Sequence, residues 1–237
     1  MLQRWAGQLT GPKQNLEELD VSHFPAHNLL VCCYTDKGLC GGVNTILSRM
    51  VRNLCASLDA QGKTYELVVY GDKGRSQLQR MFGEKISRSI VNRNVPYTFD
   101  LACGLAQDCL NEDYEGVHVL YNSFKSAIEY VPSIKSITPM LDNNADALNG
   151  YAMIPKKHPE ILLNLYEYTL ATQIYHSLLE NATSEQSSRM SAMENASKNA
   201  KEMIEKLTLQ YNRARQARIT TELIEIISGA SALEEAK

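Results

Sequence analysis

Residues 28–54, NLLVCCYTDKGLCGGVNTILSRMVRNL, decide the fold class of this chain. The first part, NLLVCCY, is an apolar run of the kind found in a strand that is covered on both faces. A glycine-rich segment then turns the chain, and apolar residues recur at helical spacing until Gly62, which lies just past the expected helix end. A buried strand that leads through a glycine turn into a helix predicts an α/β domain.

The same alternation of strand and helix continues to about residue 140. Helical patterns with apolar periodicity occur in DKGRSQLQRMFG, with Asp72 as the expected N-cap, and in TFDLACGLAQDCLNEDY. Further strands are predicted in YELVVYG, KISRSIV, GVHVLYNSF and AIEYVPSIKSITPM. This order predicts a small, mostly parallel sheet with flanking helices, a Rossmann-like domain over residues 28–140.

The glycine-rich segment does not match a nucleotide-binding motif. A phosphate-binding P-loop requires a lysine after its glycines, and DKGLCGGVNT has none. The spacing of Gly38, Gly41 and Gly42 also differs from the dinucleotide fingerprint. We therefore expect these glycines to turn the chain tightly at the strand end and to let the helix that follows pack close to the sheet. We predict no bound cofactor.

Composition narrows the functional classes further. The net charge of −3 argues against a broad electrostatic surface for nucleic acid. Six cysteines without a regular spacing are typical of reduced, structural thiols, and five scattered histidines predict no metal site. The sequence contains no catalytic motif built on a serine, histidine or carboxylate pair.

The C-terminal part has a different composition. Residues 160–228 contain no glycine and no proline, and strong helix formers dominate. They predict one helix on the order of 100 Å long, with Gly229 at the expected stop. We assign residues 1–27 to an N-terminal segment, either a presequence remnant or a frayed terminus. Residues 141–158 form an ordered connector, and residues 159–233 form the long helix.

One face of the long helix carries small and apolar residues spaced three and four apart, which is typical of a coiled-coil seam. The alternative is a solvent-bridging helix with charge pairs along it, which leaves this face without a role. No second long helix is apparent in the chain, so the partner helix is expected from elsewhere. The seam consists of Met193, Ala196, Ala200, Met203, Leu207, Ala214 and Ala217.

Two segments resemble the gamma subunit family of F-type ATP synthase. They are DKGLCGGVN at residues 36–44 and the C-terminal stretch at residues 184–233. The family signature [IV]-T-x-E-x-x-[DE]-x-x-x-G-A is matched completely by residues 219–230, ITTELIEIISGA. The stretch MSAMENASKNA at residues 190–200 resembles the mitochondrial and related bacterial branch. The resemblance covers roughly residues 28–233.

One feature of the family is missing from this chain. Members begin with a second long helix, which coils antiparallel around the C-terminal one. Only some 27 residues precede the first predicted strand here, and they contain Gly7, Gly11, Pro12 and Pro25. We expect that helix to come from a separate polypeptide or from a part of the protein outside this chain.

The resemblance implies a non-catalytic rotor shaft for ATP synthesis. Its expected partners are the alpha, beta, delta and epsilon subunits and the c-ring, on the matrix side of the mitochondrial inner membrane. Arg213, Arg215 and Arg218 form a basic cluster near the end of the helix. The resemblance implies that Arg215, Gln216 and Thr220 hydrogen-bond to an acidic catch loop of a beta subunit, and Glu225 lies near this contact. A guanidinium suits this contact because it pairs with a carboxylate in a bidentate manner.

Two other classes of protein stay open from the sequence. The first is a scaffolding coiled-coil protein that uses its sheet domain for docking. The second is a nucleotide-binding enzyme built on that domain. Co-purification with alpha and beta subunits separates the first class from a rotor, and nucleotide titration tests the second.

Overall fold

The computed structural model describes residues 21–91, 97–110, 114–137 and 159–235. Most of the N-terminal segment and the whole predicted connector lie outside these ranges. The strands are β1 His27–Cys33, β2 Thr64–Tyr70, β3 Ile86–Ile90, β4 Gly116–Ser126 and β5 Glu129–Ile137. The helices are α1 Val43–Ala60, α2 Asp72–Phe82, α3 Phe99–Leu110 and α4 Pro159–Glu235, with a short 3-10 turn at Gly83–Lys85.

The strands form one five-stranded sheet in the order β3-β2-β1-β4-β5. Strand β1 lies in the middle and pairs in parallel with β2 and β4, so that Leu30 is opposite both Leu67 and His118. Strand β5 returns antiparallel to β4 as a hairpin. The prediction of a small, mostly parallel sheet with flanking helices and a long C-terminal helix is confirmed.

Strand β1 contributes to hydrophobic layers on both faces of the sheet. Leu30 and Cys32 belong to the layer that includes Leu47 and Leu54 of α1. Leu29, Val31 and Cys33 belong to the other layer, which receives α3 and part of α4. Because alternate residues of a strand point to opposite faces, a strand covered on both sides must be apolar throughout.

Two predicted helix ends are wrong. Asp72 is the first residue of α2, and the side chain that accepts from its backbone N–H is Asp36 Oδ1, at 2.9 Å. The loop after β1 therefore caps this helix. Helix α4 continues through Gly229 to Glu235, because alanine, leucine and glutamate after the glycine favour the helix by more than one glycine disfavours it. Gly62 does follow the end of α1 and has a φ of 67°, as predicted.

The chain divides into two units at Ser191. Within the first unit, the α4 side chains Leu170, Ala171, Ile174 and Leu178 are buried in the second hydrophobic layer. Within the second unit, every side chain from Met193 to Ser231 is exposed. Among the described residues, no helix combines the length and the apolar character that crossing a bilayer requires.

Candidate functional site on the long helix

The glycine-rich loop between β1 and α1 packs against the long helix. Leu39 and Gly41 have φ angles of 62° and 60°, so the chain turns through the left-handed region. A Cβ at Gly41 would lie 2.7 Å from Ser188 Oγ on α4. That hydroxyl donates to the backbone oxygen of Cys40 at 2.6 Å. The tight turn at the strand end is as predicted, but the helix that lies close to Gly41 is α4 and not the helix that follows the loop.

The loop is also held from inside. The Thr35 backbone N–H donates to Asn44 Oδ1 at 3.2 Å, and Asn44 Nδ2 donates to Thr35 Oγ1 at 2.8 Å. Both side chains are buried, where satisfied polar groups specify one conformation. The loop therefore presents Cys40 and Gly41 to α4 in a defined geometry.

Beyond Leu178, polar groups make the contact between α4 and the sheet. Asn181 Oδ1 accepts from Asn122 Nδ2 at 2.9 Å, and Ser184 Oγ donates to the Asn122 backbone oxygen at 3.1 Å. Ser187 Oγ donates to the backbone oxygen of Ala127 in the β4–β5 turn at 2.6 Å. These contacts could not be predicted from the sequence, because serine and asparagine on a helix are usually solvated.

The seven predicted seam residues share one face of the helix. At about 100° per residue they fall within an arc of about 120°. The exposed fractions of Met193, Met203 and Leu207 are 41%, 63% and 55%. A continuous exposed apolar face of this kind is typical of an interaction surface. Further exposed apolar side chains on this part of α4, which the predicted seam did not include, are Ile204, Leu209, Tyr211, Ile219, Leu223, Ile224, Ile226 and Ile227.

The predicted catch-loop residues do not all share a face. Gln216 and Thr220 lie about 40° apart around the helix axis, and Arg215 lies about 100° from Gln216. Glu225 lies on the other side of Arg215, in line with the seam. Thr220 Oγ1 donates to the Gln216 backbone oxygen at 2.9 Å. The structure thus brings Gln216 and Thr220 together and places Glu225 apart from them.

Of the three basic residues at this end, one has an acidic partner. Arg218 Nε lies 2.8 Å from Glu222 Oε1, and both side chains are exposed, so the pair contributes little to stability. Within the described part of the chain, no ion pair joins Arg215 to a carboxylate.

The titratable groups inside the sheet domain have structural roles. The six cysteines are not joined in disulfides, and burial raises the pKa of Cys33 to about 12, so this thiol stays protonated. Burial lowers the pKa of His118 to about 3. In the described ranges, no cluster of histidine, cysteine and carboxylate side chains is arranged to hold a metal ion.

Comparison with known proteins shows where this arrangement recurs. The family model described as ATP synthase matches residues 2–233. The ATP synthase gamma chain of Fuscovulum blasticum is 44% identical over 214 residues, which are 87% of this chain and 73% of that protein. The gamma chain of Pelagibacter ubique is 38% identical over 214 residues, with the same coverage.

Solved structures agree with this result. A chain in the cryo-EM structure of the central stalk and c-ring of the Tetrahymena thermophila mitochondrial ATP synthase has a TM-score of 0.61 at 32% identity. The match covers 83% of this chain and 86% of that one. A chain of the Euglena gracilis mitochondrial ATP synthase has a TM-score of 0.79 and covers 100% of this chain and 82% of its own length. At 19% identity, the second match supports the fold alone.

An α/β domain that anchors one long, exposed helix defines a stalk subunit, whose chemistry lies in the surfaces that it offers to other chains. This chain belongs to the gamma-chain family of F-type ATP synthase, a component of the central stalk. Gamma chains are non-catalytic, and catalysis takes place in the beta subunits. The alternative of a nucleotide-binding enzyme is therefore rejected.

Proposed function

We propose that this chain is the rotor shaft of a mitochondrial F-type ATP synthase. It couples the proton-driven rotation of the c-ring to conformational changes in the beta subunits and thereby to ATP synthesis. The observation that supports this most directly is the exposure of every side chain from Met193 to Ser231, with an apolar seam among them. Because most helical stability in proteins comes from packing, partner chains are expected around this part of α4.

The seam from Met193 to Ala217 binds a second helix. Its alanines allow close approach, and its methionines and leucine supply apolar area. We assign this second helix to a separate polypeptide or to a part of the protein outside this chain. The opposite faces of α4 are then free to contact the surrounding alpha and beta subunits.

The basic end of the helix binds an acidic catch loop on a beta subunit. Arg215 supplies a bidentate guanidinium, and Gln216 and Thr220 add hydrogen bonds on the neighbouring face. Glu225, in line with the seam, contributes from the other side. The final stretch, residues 223–233, sits in an apolar collar that centres the shaft, and its exposed apolar side chains include Leu223, Ile224, Ile226 and Ile227. As the shaft turns, each beta subunit meets a different face of this asymmetric helix end. These differential contacts bias the conformation of the beta subunit.

The sheet domain is the foot of the shaft. It contacts the c-ring and the delta and epsilon subunits, on the matrix side of the inner membrane, as a peripheral component. The mitochondrial assignment is supported by the resemblance of residues 190–200 to the mitochondrial and related bacterial branch. Relatives at 38% and 44% identity are bacterial, and structures of similar fold are mitochondrial.

Purification of the tagged full-length chain from mitochondria of its own organism tests the proposal. A rotor shaft is recovered with alpha and beta subunits, at one copy per three of each, together with c-ring subunits. The same sample identifies the polypeptide that covers the seam. A scaffolding protein is recovered with other coiled-coil chains and without alpha and beta subunits, and that result would refute the proposal.

A further inference from the structure

The contact between helix α4 and the sheet domain changes character along the helix. From Leu170 to Leu178 it is mostly apolar, with one buried hydrogen bond in which Lys135 Nζ donates to Gln173 Oε1 at 2.8 Å. The apolar side chains decide which face of the helix lies on the sheet. From Asn181 to Ser188 hydrogen bonds make the contact. Hydrogen bonds depend on distance and angle, and they therefore respond to rotation of the helix.

Two adjacent serines on α4 reach two different parts of the domain. Ser187 donates to Ala127 in the β4–β5 turn, and Ser188 donates to Cys40 in the glycine-rich loop, each at 2.6 Å. Neighbouring side chains on a helix point about 100° apart. The two hydroxyls thus hold the helix from two directions. We call Ser187 and Ser188 the anchoring pair.

This geometry resists rotation in both senses. A serine oxygen lies about 4 Å from the helix axis, so a turn of about 30° moves it by about 2 Å, which is enough to break a hydrogen bond. Because both acceptors belong to the domain and do not turn with the helix, a rotation of this size in either sense disrupts both hydrogen bonds. The absence of a side chain at Gly41 brings the loop backbone within reach of Ser188.

We infer that the anchoring pair fixes the rotational position of α4 against the glycine-rich loop and the β4–β5 turn, and that part of the torque between the domain and the helix passes through these two hydrogen bonds. Ser187 and Ser188 are positioning residues, and neither acts on ATP. The torque role rests on the proposed function as rotor shaft. The rotational anchoring itself follows from the contacts within the first unit.

The chain supplies a matched control for the anchoring pair. Thr172 and Thr183 lie on the same helix, and their hydroxyls donate to the backbone oxygens of Tyr168 and Leu179, within the helix itself. Thr172→Ala/Thr183→Ala therefore removes two hydroxyls that do not touch the domain. Ser187→Ala/Ser188→Ala removes two that do, and both variants end in the same helix-favouring residue.

Amide hydrogen exchange on the full-length chain tests the anchoring. In Ser187→Ala/Ser188→Ala, we expect amides of residues 35–42 and 126–129 to exchange about fivefold faster or more, since each lost hydrogen bond loosens the segment that it held. The threonine variant should leave these segments unchanged. Equal exchange in the serine variant and the unsubstituted chain would overturn the inference.

The assembled synthase tests the torque role. We expect Ser187→Ala/Ser188→Ala to lower proton-driven ATP synthesis severalfold relative to ATP hydrolysis, and Ser187→Thr, which keeps its hydroxyl, to retain the ratio of the unsubstituted enzyme. An unchanged ratio in the double alanine variant overturns the torque role and leaves the proposed function standing. A synthase that makes no ATP even with the unsubstituted chain overturns both.

Discussion

Asn181 of helix α4 accepts two hydrogen bonds from Asn122 of strand β4. The backbone N–H of Asn122 approaches Asn181 Oδ1 at 3.4 Å, and its Nδ2 approaches at 2.9 Å. Both residues are buried, and Ser184 donates in return to the Asn122 backbone oxygen. This pair joins the long helix to strand β4 by buried hydrogen bonds.

Replacement of Asn181 by alanine should destabilise the domain. The change leaves two donors of Asn122 buried without an acceptor, at a cost of about 1–3 kcal/mol. Asn195→Ala on the same helix is the control, because Asn195 is exposed. Urea denaturation of the full-length chain measures the difference, and equal midpoints for the two variants would contradict the role of the pair.

Two helical glycines should respond oppositely to alanine. At Gly74 of α2 an added Cβ would lie 2.2 Å from the buried Tyr34 ring, so Gly74→Ala should lower the free energy of unfolding by about 1–3 kcal/mol. At Gly104 of α3 it would meet nothing within 4 Å. Gly104→Ala should therefore raise the free energy of unfolding by about 0.5–1 kcal/mol. Thermal or urea unfolding measures both, and stabilisation by Gly74→Ala would refute the close contact with Tyr34.

The domain should become less stable as the pH is lowered, because of His118. This ring stacks on Phe24, with centroids 3.9 Å apart, and its Nε2 lies 2.9 Å from Asn28 Oδ1. Asn28 Nδ2 donates to the Pro25 backbone oxygen, so Oδ1 is the acceptor and His118 Nε2 carries the proton. The neutral ring is therefore the form that the fold accommodates.

Burial lowers the pKa of His118 to about 3 in the folded chain, against about 6.5 when unfolded. Between these values the unfolded chain binds the extra proton, so the contribution of His118 is full above pH 6.5 and declines as the pH falls toward 3. We expect a slope of up to about 1.4 kcal/mol per pH unit from this group. His118→Gln should reduce the slope between pH 6.5 and 4.5. An unchanged slope in His118→Gln would assign the acid sensitivity to other groups.

The two parts of α4 should differ in hydrogen exchange. In the separate full-length chain, amides of residues 193–231 should exchange rapidly, because their side chains bury nothing in the described structure. Amides of residues 170–184 should be protected by the hydrophobic layer and by the contact with Asn122. In the assembled synthase the first group should become protected. Rapid exchange that persists there would argue against partner chains around the helix.

Arg215→Ala should weaken coupling in the synthase and leave the fold intact. The side chain is exposed and has no acidic partner in the described chain, so its loss should not shift the unfolding midpoint. Arg215→Lys should be intermediate, since lysine keeps the charge and loses the bidentate geometry. Lys201→Ala removes an exposed charge elsewhere on α4 and is the control. ATP synthesis at the full rate in Arg215→Ala would count against the catch-loop contact.

Much of the fold follows from local patterns. The apolar run of β1 and the absence of glycine and proline between residues 160 and 228 predicted a central strand and one long helix, because burial and propensity act on neighbouring residues. Helix ends were less predictable. Aspartate is a common N-cap residue, so Asp72 was the expected cap. In the structure, Asp36, from a loop 36 residues earlier, accepts the hydrogen bond from the backbone N–H of Asp72.

The exposed seam of α4 could be predicted from the sequence, whereas the contacts of its buried part could not. The seam from Met193 to Ala217 is visible in the sequence because its spacing repeats along one helix. The contacts of Asn181, Ser184, Ser187 and Ser188 are not visible, because their acceptors lie on β4, the β4–β5 turn and the glycine-rich loop. A polar residue on a helix is solvated unless the tertiary fold brings an acceptor to it.

Local properties of the chain, namely periodicity, helix propensity and a signature motif, were enough to predict the sheet, the long helix and the resemblance to a family. Which part of that helix the domain holds, and by which atoms, could be seen in the folded structure alone. Hydrogen bonds to distant backbone oxygens depend on where the folded chain places those oxygens, and spacing along the sequence carries no record of that position.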